Sequence, residues 1–89
     1  MIATEFRLEG NLASAGFPDW VCHRARLLDL RGWVSAEGPC AMTIVVAGPG
    51  PLIDAMEMAC SLGPFDVQVD RIESTQRKME ALPNGFRIR

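Results

Sequence analysis

Apolar and charged side chains alternate along the first segment of the chain. From Ile2 to Glu9, Phe6 and Leu8 fall on one side of an extended backbone and Arg7 falls on the other. A period of two residues predicts a strand with one buried face. Three further segments are predicted as strands, at Arg31–Ser35, Met42–Ala47 and Val67–Glu73.

Two intervening segments have the 3.6-residue spacing of amphipathic helices. The first begins near Pro18, which fits the first turn of a helix, and Asp19 complements the positive end of its dipole. The second opens after the breakers Gly48–Pro51 and ends at Gly63–Pro64. The apolar positions predicted to face the core are Trp20, Val21, Ala25, Leu27 and Leu28 in the first helix, and Leu52, Ile53, Met56, Ala59, Cys60 and Leu62 in the second.

The C-terminal part of the chain is less regular. Alternation slips between Val69 and Ile72, which indicates a bulge, and the polar segment Ser74–Asn84 has no pattern that predicts its order. Alternation returns at 85–89, where a fifth strand would close one edge. In the order β-α-β-β-α-β, two amphipathic helices pack on one face of an antiparallel sheet. The predicted fold is one α+β domain over residues 1–89, a two-layer ferredoxin-like sandwich.

The composition excludes several classes of function. The chain has 89 residues, 48% of them hydrophobic, and a net charge of −2, so broad attraction to nucleic acid or an acidic membrane is not expected. No apolar run approaches the roughly 18 residues of a membrane span. Three cysteines without a CxxC pair, and no basic-then-apolar leader after Met1, favour a reduced, cytoplasmic setting.

The segment between the first strand and the first helix has the build of a phosphate-binding loop. It consists almost wholly of small residues and leads into a helix N-terminus, where backbone N–H groups can surround an anion. It contains no arginine, and Pro18 lacks a backbone N–H, whereas phosphoryl transfer needs a fixed positive charge. We therefore expect weak anion binding without catalysis. The predicted anion-binding residues are Asn11, Leu12, Ala13, Ser14, Ala15 and Gly16.

Taken together, the sequence resembles acylphosphatases, the small enzymes that hydrolyse carboxyl-phosphate anhydrides. The resemblance runs without a gap from about Gly10 to Glu73, and Gly32-Trp33-Val34 is its strongest part. The other matching positions are Gly10, Gly16 and Phe17 in the loop, Ala25 and Leu28 in the first helix, Gly48, Gly63 and Pro64 around the second, Val69–Glu73, and Phe86–Ile88. The resemblance implies a sandwich of the acylphosphatase type.

The two side chains that carry the chemistry in that family are absent here. The family's loop ends in Gly-Phe-Arg, whose arginine clamps the substrate phosphate, and this sequence has Pro18 at that position. The family's asparagine that orients the attacking water corresponds to Ala36. The resemblance therefore implies a scaffold with no intact catalytic residue. The side chains that would have to substitute are Arg7, Asn11, His23, Arg24 or Ser35.

The remaining polar and reactive residues do not predict a second site. His23 is the only histidine and has no partner at metal-ligand spacing, so no metal is expected, and no cofactor is implied. Cys60 is predicted to fill core space and Cys40 to lie in a turn. Binding of nucleic acid through the open sheet face is not expected, because the outward positions carry no aromatic for stacking. Those positions are Glu5, Arg7 and Glu9 in the first strand and Thr43 and Val45 in the third.

Three functions remain open from the sequence. The leading hypothesis is a non-catalytic relative of acylphosphatases that binds a protein or a small anionic ligand, as a monomer or a homodimer. The second is an active acylphosphatase that uses non-standard residues. The third is a dimeric sensor domain for a small molecule. Only the first two are discriminated by the sequence, through Pro18 and Ala36.

Overall fold

A five-stranded sheet with two helices on one face forms the structure, a computed structural model that describes all 89 residues. In chain order the elements are β1 (Ile2–Asn11), α1 (Phe17–Leu27), β2 (Arg31–Ala36), β3 (Ala41–Ala47), α2 (Gly50–Leu62), β4 (Gln68–Lys78) and β5 (Phe86–Ile88). The strand order across the sheet is β4-β1-β3-β2-β5. The predicted two-layer α+β sandwich is confirmed.

The fifth strand makes the sheet mixed. β1, β2, β3 and β4 pair antiparallel, as predicted, but β5 pairs parallel with β2, with Trp33 beside Arg87. The direction follows from the topology, because β4 ends beside the start of β1, and the connecting segment crosses that same end of the sheet to begin β5 beside the start of β2. The predicted fifth edge strand is therefore present, and it makes the otherwise antiparallel sheet mixed.

The predicted bulge lies in β4. Glu9 pairs with Arg71 while the next residue, Gly10, pairs with Val69, so Asp70 is the extra residue. β4 also continues to Lys78, well past its predicted end at Glu73. The first residues of the weakly patterned segment 74–84 are thus part of a strand. They are extended because they pair with β1 through backbone hydrogen bonds, and their own sequence has no apolar pattern that would predict it.

The main core lies between the sheet and the helices, and most of its predicted members are buried in it or pack, partly buried, against it. The largest fully buried side chains in it are Phe6, Leu8, Phe17, Val21, Val34, Met42, Ile44, Val46, Met56 and Phe86. Two predicted core residues are wrong, since Leu27 is 67% exposed and Leu62 is 75% exposed. Each follows a buried residue (Ala25 and Cys60) by two positions, which is about 200° around the helix and so on its outer side.

A second, smaller core covers part of the sheet face that lies away from the helices. Leu82, in the segment that joins β4 to β5, packs there with Ala3 and Val45. Val45 is fully buried and Thr43 is 6% exposed, although both were expected to point into solvent. Their direction from the strand is as expected, but Leu82 packs over Val45, and the hydroxyl of Thr43 donates a hydrogen bond to Glu37.

Burial of Cys60 predicts a loss of stability at alkaline pH. Removal from solvent raises the pKa of its thiol from the ordinary 9.0 to about 12. Below pH 9 the thiol is neutral in both states, and above it the unfolded chain ionises while the buried group does not. The stabilisation is therefore lost from pH 9 toward pH 12, at up to about 1.4 kcal/mol per pH unit.

Urea unfolding at pH 8 and pH 10.5, on either side of the ordinary thiol pKa of 9.0, measures this effect. We expect Cys60→Ala to flatten the pH dependence of the free energy of unfolding. The matched variant Cys40→Ala, at an exposed turn, should retain the wild-type dependence. Identical slopes in all three proteins would show that Cys60 is not responsible.

Candidate functional site

The predicted anion loop borders a cavity of about 370 Å³. On one side lie residues of the loop after β1, and on the other the end of β2, the turn that follows and the start of β3. The structure thus brings to a common cavity Pro18 and Ala36, the two positions at which the resemblance implies that catalytic side chains are missing. The complete lining is Leu12, Ala13, Ser14, Ala15, Pro18, Ala36, Gly38, Pro39, Ala41 and Met42.

Backbone hydrogen bonds hold the two sides of the cavity together. The N–H of Gly10 donates to the carbonyl of Cys40 at 3.1 Å, and the N–H of Leu12 donates to the carbonyl of Pro39 at 2.9 Å. Gly10 has φ of +152°, and a Cβ there would lie 2.1 Å from the carbonyl oxygen of Gln68. A glycine at this position therefore lets β4 pass close to the beginning of the loop.

The six predicted anion-binding residues differ in whether their backbone N–H groups are available to an anion. Asn11 belongs to β1, where it pairs with Gln68, and Leu12 is a core residue whose N–H is already donated. The N–H groups that donate to no backbone carbonyl belong to Ala13, Ser14, Ala15 and Gly16. Of these, the first three line the cavity, and Gly16 is the N-cap of α1.

No ionisable side chain lines this cavity, so its charge is that of the peptide groups alone. The Ser14 hydroxyl donates a hydrogen bond of 2.6 Å to the carboxylate of Asp66, at the exposed rim. The one hydroxyl in the lining is therefore already bonded to a negative group, which opposes a second anion nearby. Methyl and ring carbons of Ala13, Ala15, Pro18 and Ala36 make up much of the remaining wall.

The side chains proposed as substitutes for the catalytic pair lie elsewhere. The guanidinium of Arg24 lies 5.2 Å from the ring centroid of Trp20, and His23 is exposed on the same helix without lining the cavity. Arg7 and Ser35 line a different cavity, on the open face of the sheet. None of them contributes to the lining at Pro18 and Ala36.

One feature of the open face was missed by sequence reasoning. Trp33 lies there, half-buried, with the guanidinium of Arg89 at 4.4 Å from its ring centroid. The expectation of a face without an aromatic is therefore wrong. The position of Trp33 could have been predicted from β2, because successive side chains of a strand point to opposite faces of the sheet. Gly32 and Val34, on either side of Trp33, are buried on one face, so Trp33 lies on the other.

Two other expectations from the sequence concern a metal site and a membrane-spanning helix. No cluster of three or more histidine, cysteine, aspartate or glutamate side chains is arranged to hold a metal ion. Neither helix has the length and apolar character needed to cross a membrane.

Comparison with known proteins places this geometry in a family. The family model described as acylphosphatase matches residues 4–88. The acylphosphatase of Acidiphilium cryptum is 37% identical over 86 residues, which cover 97% of this chain and 93% of that protein. The crystal structure of the acylphosphatase from Bacillus subtilis superimposes with a TM-score of 0.87 at 25% identity, over 99% of this chain and 98% of that one.

A further structure, of an acylphosphatase from Coxiella burnetii, superimposes with a TM-score of 0.89 over 98% of this chain and 90% of that one. At 22% identity, this match supports the fold alone.

Proposed function

This chain belongs to the acylphosphatase family, and we propose that it is a member without catalytic activity that serves as a binding or interaction module. The observation that carries the proposal is the lining of the cavity at Pro18 and Ala36, which contains no charged side chain. The fold and the backbone of the loop are retained while the groups that would act on a substrate are not.

The missing charge has a large expected effect on rate. An arginine that stabilises a transferred phosphoryl group is worth about 10³–10⁵ in rate, and a preorganised hydrogen-bond donor about 10²–10³. Pro18 supplies neither a side-chain charge nor a backbone N–H. Ala36 supplies no polar atom with which to orient a water molecule. Together these losses remove most of the advantage that an enzyme has over the uncatalysed reaction.

A residual capacity for anions is supported by the free N–H groups of Ala13, Ser14, Ala15 and Gly16. Neutral hydrogen bonds contribute only about 1 kcal/mol each, so the affinity should be in the millimolar range or weaker. We expect inorganic phosphate to shift these four amide resonances in an NMR titration, with the N–H of Leu12, already bonded to Pro39, as the internal control. Four unmoved resonances at high phosphate concentration would exclude the anion site.

The setting and the partners are part of the same proposal. All three cysteines are unpaired, which supports a reduced, cytoplasmic location. The partner is a protein or a small anionic ligand, and the chain acts as a monomer or a homodimer. The third hypothesis, a dimeric sensor, stays a prediction.

The second candidate is an active acylphosphatase, and the relatives favour it, because those at 37% and 30% identity are named as such an enzyme. Activity would require a positive charge from outside the cavity lining. The test is hydrolysis of benzoyl phosphate by the purified wild-type chain. We expect a rate equal to that in buffer, and protein-dependent turnover would support the second candidate instead.

A further inference from the structure

A second cavity, of about 510 Å³, lies on the open face of the sheet and shares no lining residue with the cavity at Pro18 and Ala36. Residues of four strands converge there, because side chains at opposite positions of neighbouring strands share a face. Arg7 of β1 pairs with Thr43 of β3, which pairs in turn with Ser35 of β2. Arg89 follows β5 directly and completes this row beside Ser35.

Two carboxylates line this cavity, and that of Glu5 is paired with a cation whereas that of Glu37 is not. Glu5 accepts a hydrogen bond of 2.5 Å from Arg77, and Glu37 accepts one from the hydroxyl of Thr43. Glu73, the residue opposite Arg7 on β4, forms its ion pair with Arg71.

Three hydrogen-bond donors in the lining of this cavity have no partner within the protein. Arg7 and Arg89 make no ion pair or hydrogen bond through their guanidinium groups, and the hydroxyl of Ser35 is also without a partner. The cavity thus offers two unpaired guanidinium groups and a hydroxyl, against one carboxylate, that of Glu37, without a cationic partner. This is the chemistry that recognises an oxyanion.

Arg89 is held in a position suited to donate. Its guanidinium carbon lies over the ring of Trp33, and its backbone N–H donates to the carbonyl of Val34 at 2.7 Å. Stacking occupies the face of the guanidinium plane, whereas its N–H groups point outward from the edges. Part of the side-chain entropy that a ligand would otherwise have to remove is already lost.

A partly apolar cavity of about 310 Å³ adjoins the 510 Å³ cavity and shares Trp33 and Arg89 with it. Its other walls are Met79, Ala81 and Pro83, from the segment between β4 and β5, and Arg87 of β5. A ligand that extended from one cavity into the other would place its charge near the arginines and its hydrocarbon part beside these residues.

We propose that the open face of the sheet binds a small organic oxyanion, a carboxylate or a phosphate monoester with an apolar body. The charged group lies between Arg7 and Arg89, and the apolar body lies against Met79 and Pro83. This site is independent of the anion loop and of any catalytic activity there.

The test uses the indole N–H resonance of Trp33 in NMR titrations of the wild-type chain. The probes are 3-phenylpropionate and phenyl phosphate as organic anions, acetate and inorganic phosphate as anions without an apolar body, and 3-phenylpropanol as the uncharged analogue. We expect both organic anions to bind about tenfold more tightly than the corresponding small anion. Whichever of 3-phenylpropionate and phenyl phosphate binds more tightly shows whether the site prefers a carboxylate or a phosphate head group.

Substitutions separate this site from general surface charge. Arg7→Gln and Arg89→Gln should each weaken binding of the organic anion about tenfold, because each removes a charge-assisted hydrogen bond. The matched control is Arg24→Gln, which removes an exposed arginine of α1 that lines neither cavity. Binding that persists in Arg7→Gln, that falls equally in Arg24→Gln, or that 3-phenylpropanol reproduces would overturn the proposal.

Discussion

The double variant Pro18→Arg, Ala36→Asn is expected to hydrolyse benzoyl phosphate at least about 10³-fold faster than the wild-type chain. Both substituted positions line the same cavity, whose loop still presents the free N–H groups of residues 13–16. The arginine supplies the charge that stabilises the transferred phosphoryl group, and its backbone restores the N–H that proline lacks. The asparagine supplies a polar group that can orient the attacking water.

A matched control separates charge from shape in this experiment. Pro18→Gln with Ala36→Asn restores the N–H and a long polar side chain but no positive charge, so it should gain much less than the arginine variant. Initial rates of benzoyl phosphate hydrolysis at equal protein concentration make the comparison. Wild-type turnover similar to that of the arginine variant would show that another cation serves this cavity.

Gly32→Ala is expected to destabilise the fold by at least about 3 kcal/mol, which lowers the melting temperature by roughly 12 °C or more in a domain of this size. Gly32 has φ of +144°, and a Cβ there would lie 1.8 Å from the carbonyl oxygen of Val45. The obstacle is backbone in the adjacent strand β3, so no side-chain rotation relieves it. Separation of β2 from β3 would also disturb the pairing of β5 with β2.

Gly85→Ala is the appropriate control for that substitution. Gly85 lies near the same edge, and its carbonyl accepts a hydrogen bond from Gly32, but a Cβ there meets nothing within 4 Å. Its effect should stay within about 0.5 kcal/mol. Thermal unfolding followed by circular dichroism compares the two variants, and equal stabilities would contradict the steric argument.

Much of this fold follows from periodicity in the sequence. The alternation around Phe6 and Leu8 and the helical spacing around Val21 and Met56 are each consistent with one buried face, and the structure buries those residues. Periodicity fails where burial depends on a distant segment. Val45 is covered by Leu82, 37 positions away in the sequence, and no local pattern contains that information.

The candidate site was accessible to sequence reasoning only in part. Resemblance to a family indicated that Pro18 and Ala36 belong to one site, and the structure places both at one cavity. Spacing alone does not bring them together, since the loop and the end of β2 meet through hydrogen bonds from Gly10 and Leu12 to the turn before β3. The contact of Ser14 with Asp66 likewise joins residues 52 positions apart.

The length and polarity of β4 have a consequence for behaviour at high concentration. β4 is an edge strand of eleven residues, and an edge of that length offers unpaired peptide groups to other chains. Only Val69 and Ile72 are partly covered, while charged residues from Asp70 to Lys78 are exposed along it, and Asp70 interrupts its regular spacing. Charges and a bulge at such an edge discourage intermolecular strand addition, so this margin of the protein resists amyloid-like assembly.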